Sequence, residues 1–331
     1  MEKVAVLGDG AWGTALTMVL AERGASVIQW SHAPEVAEDM QARRENRRYL
    51  PGFTIPDGIT VSPDPTFFEH ADMIVSAVPS RYLRSVLEDL SEHFQRGRPF
   101  LSATKGMEFP SRKLPTEIIR DVLGDRPLAV LSGPSHAEEV AARMPTAVVA
   151  ASTDPGLALK VQDLFTTERF RVYTSDDPRG LELGGALKNV LSIAGGLVDG
   201  LGFGDNTKAA LLTRGQAEMA RLGAAMGGAP ETFHGLSGIG DLVVSCVSRH
   251  GRNRFVGEHI GKGESVESVL KRMRGVPEGV LSCKAVVKAA EEHAVDLPIC
   301  REVHAVLFEG KAPLEAVREL MTRQQKDEVG V

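Results

Sequence analysis

Thiols are scarce in this 331-residue chain: Cys246, Cys283 and Cys300 are the only three. The count is odd and no CxxC spacing occurs, which argues against a disulfide framework and against a zinc knot and points to a reducing, cytosolic setting. Excess positive charge is missing too. A formal net charge of −6 disfavours a nucleic-acid partner or an anionic membrane surface, yet leaves room for a small anionic substrate held by a local cluster of cations. No run reads as long and apolar enough to span a bilayer, so no membrane insertion is expected. Met1-Glu2-Lys3 leads straight into a strand-like run, with no place for a signal peptide. The nine histidines show no ligand spacing such as HExxH, and no metal is expected. No internal repeat or low-complexity segment interrupts the chain.

What is present is ordinary globular material: 43% hydrophobic and 25% charged residues, enough for a packed core and little disorder. The length suits two domains. The first half alternates strand-like and helix-like segments. Lys3–Leu7, Ser26–Trp30, Met73–Val78, Pro99–Ala103 and Leu128–Leu131 read as strands, and Trp12–Arg23 as a helix closed by Gly24. Such alternation predicts a doubly wound parallel sheet of Rossmann type. Thr146–Ala151 and Phe170–Thr174 extend it, with a helix over Pro155–Phe165 between them. At Ser175-Asp176-Asp177-Pro178 the character changes. Asp177 suits an N-cap and Pro178 the first helical turn. Helical periodicity follows over Arg179–Leu201, Thr207–Met226, Val266–Met273, Ser282–His293 and Pro313–Arg323. We therefore expect a nucleotide-binding α/β domain over residues 1–178 and an all-α domain over residues 179–331. The basic run Arg43–Arg48 is read as a solvated helix face.

Gly8-Asp9-Gly10-Ala11-Trp12-Gly13 follows the first strand and opens the first helix, the context that makes G-x-G-x-x-G informative. Gly8 permits the tight turn, Gly10 lets a pyrophosphate approach the backbone, and Gly13 lets helix pack on strand. The exposed N–H groups at the helix start, from Ala11 and Trp12 onward, then hold phosphates. The alternative is an ordinary βα turn. NAD-selective sites carry an acidic residue about 20 positions further on; here that place reads Trp30-Ser31-His32-Ala33. Ser31 and His32 are candidates to hydrogen-bond a 2′-phosphate, so NADP(H) is the expected cofactor, with NAD(H) accepted.

Lys188 is the only charge between Leu183 and Val198. It shares a small, apolar helical face with Leu181, Gly184, Leu191, Ser192 and Gly195. Such a lysine either snorkels to solvent or faces a polar cavity. If desolvated, its pKa falls toward the range useful for acid–base work. Asn189 beside it offers an amide to orient a carbonyl or a cofactor amide. Other polar clusters sit where open sheets bind ligands: Ser102–Gly106 and Ser132–His136 at strand ends. Gly235–Asp241 is glycine-dense and ends in a carboxylate. Arg249–Arg254 places three guanidiniums in six residues, suited to a phosphate. Taken singly, each reads more readily as structural, a strand-end turn, a loop or a solvated charge run, than as functional.

Taken together, these segments resemble the bacterial NAD(P)-dependent glycerol-3-phosphate dehydrogenase family. The matching runs are Gly8–Leu16 (GDGAWGTAL), Tyr49–Gly52 (YLPG), Ala103–Gly106 (ATKG), Ser132–Val140 (SGPSHAEEV), Leu187–Val190 (LKNV), Gly204–Leu211 (GDNTKAAL), Gly235–Leu242 (GLSGIGDL) and Gly251–Arg254 (GRNR). They cover most of the chain in order. The resemblance implies reduction of dihydroxyacetone phosphate to sn-glycerol 3-phosphate, a supply for phospholipid synthesis. It implies Lys188 as general acid/base, Lys105 as a second lysine that binds and polarises substrate, and Asp241 as the carboxylate orienting the catalytic lysine. Gly133 and Ser135 correspond to substrate contacts, Arg252 and Asn253 to the phosphate-binding pair, with Asn189 and Gly251 adjoining. Gly10, Trp12, Ala137, Val276 and Glu278 correspond to dinucleotide contacts, bordered by Lys105 and Arg252. Three positions depart: His32 stands where many relatives have arginine, Gly251 where serine is usual, and Pro277 where an apolar residue is usual. Competing readings are a dehydrogenase of the same architecture acting on a hydroxy acid, and a non-catalytic NADP(H) sensor. The oligomeric state is left open, a homodimer being one option.

Overall fold

The computed structural model describes residues 2–273, 277–325 and 327–328; the expected cofactor contact at Val276 lies outside them. Ten strands form: β1 Lys3–Leu7, β2 Ser26–Trp30, β3 Glu45–Asn46, β4 Leu50–Thr54, β5 Ile59–Ser62, β6 Met73–Ser76, β7 Phe100–Ser102, β8 Leu128–Ser132, β9 Thr146–Ala151 and β10 Phe170–Ser175. Eight of them make one sheet in the order β10-β9-β8-β7-β6-β1-β2-β5. Helices α1 Ala11–Glu22, α2 Pro34–Arg43, α3 Ser80–Asp89, α4 Pro115–Leu123, α5 Ala137–Ala141 and α6 Pro155–Phe165 cover its two faces. The inner strands β1, β6 and β8 are near-continuous apolar runs because both faces are covered. The strand order reverses at β1, between β2 and β6, and ligands bind at the carboxyl ends of strands beside such a reversal.

Three local readings change. β9 pairs antiparallel with β8, and β10 parallel with β9, so this edge runs against the rest of the sheet. The connection after β8 carries only the five-residue α5, a rise of roughly 7–8 Å, too little to return the chain to the other end of a strand. β5 and the β3–β4 hairpin were not expected; both are short and partly polar. Arg43–Arg48 is not a helix face. Helix α2 stops at Arg43, Arg44 turns left-handed (φ 55°), and its guanidinium bonds the Ile59 carbonyl (2.9 Å), tying the excursion to β5.

Beyond Ser175 the described residues form helices only: α7 Pro178–Gly200, α8 Asp205–Ala225, α9 Asp241–Val247, α10 Arg252–Gly261, α11 Val266–Arg272, α12 Glu278–Glu292, α13 Pro298–Phe308 and α14 Pro313–Met321. Asp177 caps α7 as expected, accepting from Gly180 N (2.8 Å). α7 is the axis of this half. By length and composition it is apolar enough to cross a bilayer, contrary to the sequence reading, but its apolar stretch is wholly buried within the protein. Small residues allow that burial. A Cβ at Gly196 would fall on the Arg254 carbonyl, and one at Gly257 on that of Ile193, so α7 and α10 touch backbone to backbone. This fixes Lys188 of α7 relative to Arg252 and Asn253 of α10. The α7 residue Glu182 reaches across to the sheet half, accepting from Thr116 N (2.8 Å) and Thr116 Oγ1 (2.5 Å) at the start of α4.

Candidate active site

A single cleft of about 1170 Å³ runs from the glycine-rich turn past the carboxyl ends of β1, β2, β6, β7 and β8 to α7, α9 and α10. At its first end Gly8 takes φ +118° and packs on the Ala77 backbone. A Cβ at Gly13 would fall on the Gly8 carbonyl, so α1 sits directly on the turn. A Cβ at Gly10 would meet nothing within 4 Å. The residue that must let a diphosphate approach is thus the one that opens into the cleft. Trp12 also lines this end, its buried Nε1 without a partner among the described residues. These features fit a dinucleotide, with the start of α1 as its phosphate anchor.

The turn is braced by two amides. Gln29 Nε2 donates to Gly8 O (3.0 Å) and Thr14 Oγ1 (3.1 Å). Asn46 Nδ2 donates to Asp9 O (2.7 Å) and Thr14 Oγ1 (2.8 Å). Asn46 ties the β3–β4 hairpin to the turn and brings Arg47, Arg48 and Tyr49 to the cleft beside His32. Ser31 corrects the sequence reading. It is 0% exposed, and its hydroxyl donates to Asp9 Oδ2 (2.7 Å). It is not free to hold a 2′-phosphate; His32 lines the cleft.

At the other end three charges converge. Asp241, at the start of α9, takes Lys105 Nζ on Oδ2 (2.7 Å) and Lys188 Nζ on Oδ1 (3.1 Å). Lys188 is 7% and Asp241 2% exposed, so this lysine does not snorkel. Its second partner is Ser245 Oγ (2.7 Å), one helical turn beyond Asp241. Sequence reading missed Ser245, although four residues along a helix share one face. Burial brings the Lys188 ammonium down to about 8; Asp241 opposes the shift and Lys105 adds to it. For Asp241, burial alone would raise the carboxyl, but Lys105 and then Lys188 outweigh it and hold it below the usual range. Two cations and one carboxylate leave one positive charge, and Arg252 adds another at the cleft wall, suited to an anionic ligand.

The remaining expected residues divide. Gly133 (φ +134°) turns its carbonyl to Lys105 Nζ (2.9 Å) and Ser135 Oγ (3.0 Å), so Gly133 orients the lysine, while Ser135 and Ala137 line the cleft. Asn253 is largely committed. Its Nδ2 donates to Asn189 Oδ1 (3.0 Å) and its Oδ1 accepts from Gly279 N (2.9 Å), leaving one N–H. Of the three guanidiniums in Arg249–Arg254, only Arg252 lines the cleft; Arg254 pairs with Asp199 (2.7 Å) and Glu258 (3.2 Å). At Gly251 a Cβ would stand 2.9 Å from Ser245 O, so this corner is packed too closely to take a side chain without a shift. Glu278 reaches across the cleft to Ser80, accepting from its N (3.0 Å) and its hydroxyl. Burial raises its carboxyl. Among the described residues no three of His, Cys, Asp and Glu gather as a metal site.

Comparison with known proteins gives these residues a setting. The family pattern described as NAD-dependent glycerol-3-phosphate dehydrogenase N-terminus matches residues 3–158, and its C-terminal counterpart matches residues 177–318. A protein of Prosthecochloris aestuarii named glycerol-3-phosphate dehydrogenase [NAD(P)+] is 49% identical over 330 residues, covering 98% of this chain and 99% of its own. The structure of glycerol-3-phosphate dehydrogenase from Coxiella burnetii superposes with a TM-score of 0.93 at 39% identity, covering 97% of this chain and 99% of that one. For the Saccharomyces cerevisiae enzyme the score is 0.83 at 27% identity, with coverage of 97% and 99%. The chain belongs to the NAD-dependent glycerol-3-phosphate dehydrogenase family.

Proposed function

We propose that this protein reduces dihydroxyacetone phosphate to sn-glycerol 3-phosphate, reversibly, with NADH or NADPH. The observation that carries the reading is Lys188. It is buried, held between Asp241 and Ser245, and placed at the far end of the cleft that begins at the glycine-rich turn. When bound, the nicotinamide supplies the hydride that arrives at the ketone carbon. The chain does the rest. Lys188 delivers a proton from Nζ to the carbonyl oxygen, and its lowered pKa places that exchange near neutrality. Lys105 sets a second cation against the developing oxyanion. Asp241 positions both lysines, and Ser245 accepts a second Lys188 N–H and fixes the ammonium's direction. Arg252 takes the phosphate, with the remaining Asn253 N–H beside it. A non-catalytic sensor would have no use for two lysines converging on one buried carboxylate.

In the same proposal residues 1–178 bind cofactor and residues 179–331 complete the substrate site. The product is a glycerophospholipid precursor, and the three buried free cysteines accord with a cytoplasmic setting. The test is loss of nicotinamide absorbance on adding dihydroxyacetone phosphate with each cofactor. Absence of turnover with both would overturn the reading.

A further inference from the structure

The place where NAD-selective folds carry an acidic residue, just past β2, holds Ser31 and His32. The structure nevertheless brings a carboxylate there. Asp9, between the first two glycines of the turn, lines the cleft and accepts the Ser31 hydroxyl on Oδ2 (2.7 Å). Ser31 is fully buried and also reaches the Ala33 carbonyl (3.2 Å), so it is a fixed post. The backbone on the other side is held by Asn46 Nδ2 on Asp9 O (2.7 Å). The Asp9 carboxylate is therefore anchored at both ends of its own residue, beside the strand end where an adenosine ribose is read.

We propose that Asp9 is the residue that discriminates between the two cofactors, accepting the ribose 2′-hydroxyl of NADH and repelling the 2′-phosphate of NADPH. This rests on the dinucleotide reading of the cleft. It reverses the preference expected from the end of β2 alone. Three cationic or ionisable groups share this end and pull the other way. His32 stands edge-on to Trp30 (5.8 Å between ring centroids). Arg48 lies over the Tyr49 ring (5.2 Å). Arg47 is 58% exposed and leans toward Glu45 (3.6 Å). Solvated charges of this kind contribute little and are screened by salt. A carboxylate locked by a buried hydroxyl cannot swing away from an incoming phosphate. Fixed repulsion at contact outweighs attraction from mobile side chains.

The test is to measure dissociation constants of NADH and NADPH for the whole protein by calorimetry, without substrate, alongside kcat/KM for each cofactor. The wild type should bind NADH roughly 10- to 100-fold more tightly, the range for one hydrogen bond to a charged group. Asp9→Asn keeps the shape and removes the charge; Asp9→Ser removes both. Each should move the binding ratio toward NADPH, further for serine. A wild type that prefers NADPH would show that the arginines prevail and overturn the inference; so would variants with an unchanged ratio. The wild-type ratio decides even if a variant fails to fold. Because binding is read without dihydroxyacetone phosphate, a protein selective for NADH that turns nothing over would retain this inference and lose the proposed reaction.

Discussion

At the scale of single residues, burial decides what a charged group does. Lys188 is charged, apolar in its neighbours, and held by a carboxylate and a hydroxyl. Lys188→Met preserves length and apolar character but removes the proton donor. Turnover should fall at least ~10²-fold, the low end for losing a general acid, with cofactor binding and circular dichroism retained. Lys188→Arg should fail as well, since a guanidinium does not release its proton near neutrality. In the proposed mechanism ketone reduction needs protonated Lys188, so the wild-type kcat/KM should drop as pH rises through about 8; alcohol oxidation should rise over the same window. Near-wild-type turnover in the methionine variant would remove Lys188 from the chemistry. Ser31 makes the complementary point. An aspartate there reads, from sequence, as a route to NADH selectivity. In the structure Ser31→Asp would set a second carboxylate in a fully buried position against Asp9. The expected result is a lower melting temperature, by several degrees for the roughly 1–3 kcal/mol cost of an unpaired buried polar group. A variant as stable as wild type would mean the turn gives way more easily than its bracing implies.

At the scale of elements, a helix end can be served from across the core rather than locally. Helix α13 begins at Pro298 without a side-chain cap of its own. Glu218, in the middle of α8, supplies one, accepting from Ile299 N (2.7 Å) and Cys300 N (3.2 Å). Burial raises this carboxyl from 4.5 to about 7. Between those values the folded chain keeps a proton that the unfolded chain has lost, so stability falls as pH rises through the window. Glu218→Gln should weaken the cap and erase that slope. Melting temperatures compared between about pH 5 and about pH 8 should decline more in the wild type than in the variant; equal declines would place the proton elsewhere. Element by element, the sequence was most legible where periodicity is long. β1, β2, β8 and the helices α6, α7 and α8 lie within a few residues of expectation. It named no element at β5, at the β3–β4 hairpin, or at α2, α3, α4, α9, α10 and α13. β5 and the hairpin strands are two to five residues long, too few for an alternation to stand out. The reversal of β9 was also hidden, because strand direction depends on how far a connection reaches, and hydropathy does not record that.

At the scale of the whole molecule, the site exists only because the two halves close on each other. Lys105 comes from the end of β7 and Asp241 from α9, and they meet at 2.7 Å. Glu278 on α12 clasps Ser80 at the start of α3, and Glu182 on α7 holds α4. Arg252 lines this cleft, the one guanidinium of its run that does. Arg252→Ala should raise the KM for dihydroxyacetone phosphate about 10- to 100-fold, the loss expected for one charge-assisted hydrogen bond, with a smaller change in cofactor affinity. An unchanged KM would assign the phosphate to other groups. The sequence by itself determined the alternation that makes the sheet, the change to helices at Asp177-Pro178, the glycine turn, and the chemically capable residues Lys105, Lys188, Asp241 and Arg252. Local pattern suffices for the sheet, the boundary, the glycine turn and the oddity of Lys188, since each is a property of a segment; Lys105, Asp241 and Arg252 stand out only through the family resemblance. Only the tertiary structure decided which partner each charge has. It set Ser245 beside Lys188, diverted Arg254 and most of Asn253 to structural bonds, and carried the Asp9 carboxylate to the end of β2. Asp9 and Ser31 lie 22 positions apart and Lys105 and Asp241 136, and a linear pattern does not record which distant side chains folding brings into contact.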